Sequence, residues 1–151
     1  MLKDFNKRWL TYAIVVSLAV SAFAAWRAQA QVAPADGVYV SAASGNVAAE
    51  SAAATLAAAA GKHTFICGFT ATGSGAGGAS VVNITVTGLV GGTATFNFSV
   101  PVGPTVGITP LVVNFGTCIP SSALNTAIVV TLPSLGVGNT HAAVFAWGLQ
   151  L

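Results

Sequence analysis

Charge is what this chain lacks most. Only 5% of its 151 residues are Asp, Glu, Lys or Arg, against about a quarter in an ordinary soluble domain. From His63 to Leu151 there is none at all. The groups in that stretch that titrate near neutrality are His63, His141 and the thiols of Cys67 and Cys118, if free. This excludes most acid–base chemistry. A Ser-His-Asp arrangement fails because Asp36 is the one Asp beyond the N-terminal segment, and no Gly-x-Ser-x-Gly elbow occurs. Paired carboxylates for glycoside hydrolysis would have to be Asp36 and Glu50, both outside the expected sheet. The chain therefore reads as a non-enzyme.

Cofactor and metal signals are missing as well. Gly73 to Gly78 is rich in glycine, but no helix and no Lys-Ser/Thr pair follows, so it does not cradle a phosphate. Two His residues without a third ligand make no metal site, and two Cys without a His pair at finger spacing make no zinc site. No basic patch exists for nucleic acid. The formal charge of +2 comes from Lys3, Lys7, Arg8 and Arg27; beyond residue 30 only Asp36, Glu50 and Lys62 are charged, a net of −1. A near-neutral surface offers little repulsion between copies and favours self-association.

The N-terminus has the one long apolar run. A short basic stretch, Met1 to Arg8, precedes uncharged Trp9 to Trp26 and then Arg27-Ala28-Gln29-Ala30. This is the pattern of a secretory signal peptide, with cleavage expected between Ala30 and Gln31. Ala22-Phe23-Ala24 offers a second site. Two other readings use the same residues: an uncleaved membrane anchor over 9–26, near the lower length limit for a span, or a buried arm used in assembly. Residues 31–45, with Pro34 and Asp36-Gly37, read as a linker that could hold a short strand at Val38 to Val40.

The Ala-rich segment from Asn46 to Gly61 is ambiguous. Helix propensity favours a helix, but alanines give it no strong apolar face, and an extended strand packed where only small side chains fit is the alternative. Beyond it, apolar residues come in short bursts between Gly/Pro turns, which indicates an all-β fold. Strands are expected over Lys62–Ala71, Ala79–Leu89, Thr93–Val100, around Leu111–Phe115, over Thr126–Leu132 and His141–Leu149. Val82, Ile84 and Val86 alternate with Asn83, Thr85 and Thr87, and Phe96 and Phe98 alternate with Thr95 and Asn97. With Gly91-Gly92 between them, these two runs form a hairpin. Asn83-Ile84-Thr85 and Asn97-Phe98-Ser99 match the glycosylation triplet but read as cross-strand polar pairs on a solvent face.

Two strands are apolar on both faces. One carries Phe65, Cys67 and Phe69 on one side and Ile66 on the other; the terminal one carries Phe145 and Trp147 opposite Val144 and Ala146. An antiparallel sheet normally keeps one face wet, so Ile66, Phe145 and Trp147 are the candidate contacts of a homo-oligomer. Cys67 and Cys118 are the candidate disulfide, since export permits pairing.

Several motifs together resemble a family of small, mostly uncharacterised β-sandwich proteins of bacteriophage and prophage-type regions. They are Ala59-Ala60-Gly61-Lys62 before Gly68-Phe69, Ser80-Val81-Val82 leading to Gly88-Leu89-Val90-Gly91-Gly92-Thr93, and Pro110 to Phe115. Ile119-Pro120-Ser121-Ser122 with Asn125 to Val130, and Leu135 to Thr140, complete the set. The resemblance spans Asn46 to Leu151. It implies a jelly-roll-like sandwich used as a virion decoration or fibre module, often in trimers, and makes the Ala-rich segment the first strand. A signal peptide and the cysteine pair depart from that family's pattern and point to an exported version.

The expectation is thus an antiparallel β-sandwich, jelly-roll-like, of about seven to eight strands, preceded by an N-terminal hydrophobic helix or signal segment. It divides as 1–30 leader or anchor, 31–45 linker and 46–151 β domain. It would be exported (periplasmic, cell-surface or extracellular) or virion-associated, and would bind copies of itself, phage capsid or tail proteins, or a cell-surface glycan. The glycan reading places binding on the loops Thr72 to Gly78 and Gly103 to Thr109, with Trp147 able to stack on a sugar.

Overall fold

The computed structural model describes residues 37–151. The expected signal peptide or anchor, its helix over 9–26 and the Ala30–Gln31 cleavage site all lie outside the described residues.

Eight strands and no helix make up the described chain: β1 (Val38–Ala43), β2 (Ala52–Leu56), β3 (Thr64–Gly73), β4 (Ser80–Leu89), β5 (Gly92–Val100), β6 (Leu111–Pro120), β7 (Ile128–Leu132) and β8 (Ala142–Gln150). They form two four-stranded sheets ordered β1-β8-β3-β6 and β2-β7-β4-β5, with every neighbouring pair antiparallel. Only β4 and β5 follow each other within one sheet; every other connection crosses to the opposite sheet. Residues from both sheets share one core cluster.

Alternation sets that core. Ile84 and Val86 of β4, Phe98 and Val100 of β5, and Ile128, Val130 and Leu132 of β7 are buried at every second position. Between these lie exposed or half-buried Thr, Asn, Ser and Val. Phe69 meets Phe96 of the opposite sheet edge-on, with centroids 5.2 Å apart, and Phe115 tilts against both. Full burial of such side chains supplies about 1.5–3 kcal/mol each.

The Ala-rich segment supplies β2. Ala52, Ala54 and Leu56 point inward and are buried, while Ala53 and Thr55 are exposed. β2 packs against β8 and β1 of the other sheet, where Ala42, Ala142 and Ala146 face it with equally small side chains. Tertiary packing thus overrides helix propensity. The expected linker also needs correction: residues 38–43 pair along β8 from Val38–Gln150 to Ala43–Phe145, so the folded unit starts at Gly37 rather than Asn46.

The largest departure from simple alternation is at Cys67. Ile66 pairs with Gly148 of β8 and Gly68 pairs with the next residue, Trp147, so Cys67 is an extra residue in β3. Against β6 the partners jump from Ile119 to Asn114, leaving Phe115 to Cys118 opposite Cys67. A bulge of this kind reverses the inward–outward phase. Ile66 and Phe69 therefore both face the core, and Gly68 faces out. Gly148 is required opposite the bulge, because a Cβ there would overlap the Phe65 carbonyl. Cys67 and Cys118 are joined by a disulfide across the bulge, with Cα atoms 4.2 Å apart.

Candidate functional site

The outer face of β1-β8-β3-β6 has the most distinctive side chains. Register places one row straight across it: Ser41 of β1, Trp147 of β8, Gly68 of β3 and Asn114 of β6. Directly opposed residues of an antiparallel pair share a face. The neighbouring rows are Ala43, Phe145, Thr70 and Val112 on one side and Tyr39, Leu149, Phe65 and Pro120 on the other. A Cβ on Gly68 would overlap the benzo ring of Trp147, so the indole lies down over the glycine. Phe145 flanks it, with centroids 5.9 Å apart and ring planes 25° apart. Phe145 is 43% exposed and Tyr39 74%, while Ser41 and Asn114 are exposed on either side of the indole.

Of the three expected contact residues, the structure keeps two on this face. Phe145 and Trp147 point outward together. Ile66 has no exposed surface; the bulge at Cys67 turns it into the core, which corrects its assignment as a contact. The face gains Gly68, which the bulge brings outward; Asn114, outward by its alternation with the inward Leu111, Val113 and Phe115, lies beside it.

The backbones of the two loops expected to bind glycan are bonded to each other. Gly75 N–H donates to Val106 O at 2.8 Å, Ala76 N–H to Pro101 O at 3.1 Å, Gly103 N–H to Ala76 O at 2.8 Å and Ile108 N–H to Gly73 O at 2.9 Å. Gly75 permits this approach, since a Cβ there would come within 2.6 Å of the carbonyls of Pro101 and Gly103. The Gly73–Gly78 stretch, which composition reads as a mobile loop, is therefore pinned, with Ser74, Gly75 and Ala76 buried. Asn139, 3% exposed, ties the third loop in. Its amide donates to Ser74 O at 2.8 Å, Ser74 Oγ at 3.0 Å and His141 O at 2.9 Å, and its Oδ1 accepts from Ala49 N–H at 3.4 Å. This loop end exposes three valines, Val137 at 88%, Val102 at 63% and Val106 at 47%, beside the hydroxyls of Thr105, Thr109 and Thr140.

The two histidines sit at opposite ends of β3 and β8. His63 bonds its backbone to Leu151, whereas His141 O accepts from Ser74 N–H. They cannot share an ion. His63 Nδ1 lies 3.2 Å from Ser121 Oγ. That hydroxyl is 1% exposed, donates to Ala123 O at 2.8 Å and accepts from Thr64 N–H at 3.3 Å. The pair braces β3 against the β6–β7 turn, and its oxygen is committed to backbone. Among the described residues no three His, Cys, Asp or Glu side chains gather as metal ligands, and no buried side-chain polar atom lacks a partner. Asn83 and Asn97 face each other across β4 and β5, both exposed.

No protein-family model, no curated protein and no solved structure matches this chain.

Proposed function

We propose that the protein is a non-enzymatic structural module, a β-sandwich of jelly-roll type that is exported or particle-associated and assembles with copies of itself. Several features support the reading. The strand orders β1-β8-β3-β6 and β2-β7-β4-β5 are the connectivity of the double-sheet jelly roll, an architecture common to capsid and lectin domains. The disulfide suits an oxidising compartment. A role in virion decoration or in a fibre rests on the motif resemblance.

The loop end carries the assembly reading. Val102, Val106 and Val137 project from loops whose backbones are already bonded to one another, on a domain where Glu50 and Lys62 are the only charged side chains over residues 37–151. Burying these three supplies roughly 3–6 kcal/mol per copy. Association costs at least about 4 kcal/mol in lost freedom. A contact between two copies buries both sets, roughly 6–12 kcal/mol, which exceeds that cost; a trimer in particular rests on the motif resemblance. Light scattering on the full chain and on Val137→Asp tests this. A discrete oligomer that the variant shifts to smaller species is expected; equal monomeric mass for both overturns it.

A further inference from the structure

We propose that the outer face of β1-β8-β3-β6 is a saccharide-binding platform centred on Trp147, and that its ligand is an uncharged pyranose chain. The site is independent of the loop end and stands whether or not copies associate there.

The geometry begins with the bulge. By turning Gly68 outward it removes the one side chain that would lift the indole off the sheet, so Trp147 lies over the glycine and stays half-exposed. Phe145 adds a second exposed ring beside it, with its plane only 25° away. A pyranose has one face of C–H groups and a rim of hydroxyls. The first suits an aromatic surface; the second needs hydrogen-bonding groups around the ring's edge. Both are present. Ser41 and Asn114 flank the Trp147–Gly68 pair in the same row, and Thr70 sits opposite Phe145. From Ser41 to Asn114 is three strand spacings, about 14 Å, room for a short run of sugar units. The Asn114 amide offers two donors and an acceptor, and each hydroxyl offers both roles.

Charge selects the class of ligand. No Asp, Glu, Lys or Arg occurs from His63 onward, and β1 has none. Phosphorylated, sulfated or uronate-rich chains would find no counter-charge, while a neutral glycan needs none. The same polar flanks argue against a second copy as the occupant. Sheet-on-sheet packing would remove Asn114 and Ser41 from water and would need each to meet a polar group of the other copy in register, since an unpaired buried amide or hydroxyl is costly. A sugar brings a hydroxyl to each.

The test is isothermal titration of the full chain with cellohexaose, chitohexaose, laminarihexaose and xylohexaose, with hexagalacturonate as the charged comparison. At least one neutral hexasaccharide is expected to bind more tightly than hexagalacturonate. Trp147→Ala should abolish that binding. Asn114→Ala, at an exposed position on an edge strand, should keep the fold and weaken binding about five- to tenfold, the loss of one hydrogen bond. Val137→Asp should leave it unchanged. No binding by any of the four neutral sugars overturns the proposal, as does binding that survives both Trp147→Ala and Asn114→Ala. A Trp147→Ala variant that alters only the sedimentation of the protein also overturns it, and assigns the face to a second copy.

Discussion

Removing the disulfide should cost this domain a large part of its stability, and the amount follows from where the bridge sits. Cys67 and Cys118 are 51 residues apart in sequence. Closing a loop of that length withdraws about 14 cal/mol/K from the unfolded chain, or about 4 kcal/mol at 25 °C, in the chain-entropy account. Small domains have about 5–15 kcal/mol in total. The bridge spans the one place where β3 and β6 lose their register, so no continuous ladder takes over its role there. Urea unfolding of the oxidised protein and of Cys67→Ala/Cys118→Ala, followed by circular dichroism, measures the difference. With a slope near 1.5 kcal/mol/M, the midpoint should fall by roughly 2.5 M. The slope itself should rise, because an uncrosslinked unfolded chain exposes more surface. A midpoint shift below about 0.5 M with an unchanged slope would refute the reasoning, since it would mean that the bridge hardly constrains the unfolded ensemble.

Two further substitutions separate core from face. Ile66→Ala should lose about 2–5 kcal/mol, as for a fully buried aliphatic, whereas Phe145→Ala, 43% exposed, should lose well under half as much; equal losses in urea melts would contradict the phase reversal at Cys67. Asn139→Ala strips partners from Ser74 O, Ser74 Oγ and His141 O at once. It should cost at least about 1–3 kcal/mol, and amide exchange should accelerate first in Ser74 to Ala76 and in Thr140 and His141; uniform acceleration across the sheets would show that Asn139 does not organise the loop end.

Regular alternation made much of the fold readable from sequence. The β4–β5 hairpin follows its pattern: Val82, Ile84 and Val86 pair with Phe98, Phe96 and Ala94 in that order, and Asn83 meets Asn97. Where the chain breaks its own period, sequence reasoning fails. Phe65, Cys67 and Phe69 look like one face, and nothing in residue type announces that Cys67 is an extra residue. Its signature is non-local: a glycine at 148 that alone tolerates the Phe65 carbonyl, and four residues of β6 that pass opposite one. The same bulge moved Ile66 inward and created the Trp147–Gly68 platform, so the candidate site was the least readable part. The loop end misled for another reason. Gly and Ser suggest mobility, yet here glycine lets two backbones approach closely enough to bond.

The central claim is that this is an assembling structural module whose loop end holds copies together. Sedimentation velocity of the full chain over a wide concentration series tests it most directly. The account expects a discrete oligomer in equilibrium with monomer, and Val137→Asp should move that equilibrium toward monomer while leaving the melting temperature unchanged at concentrations where both proteins are monomeric. A single monomeric boundary at every concentration, the same for both proteins, would contradict it.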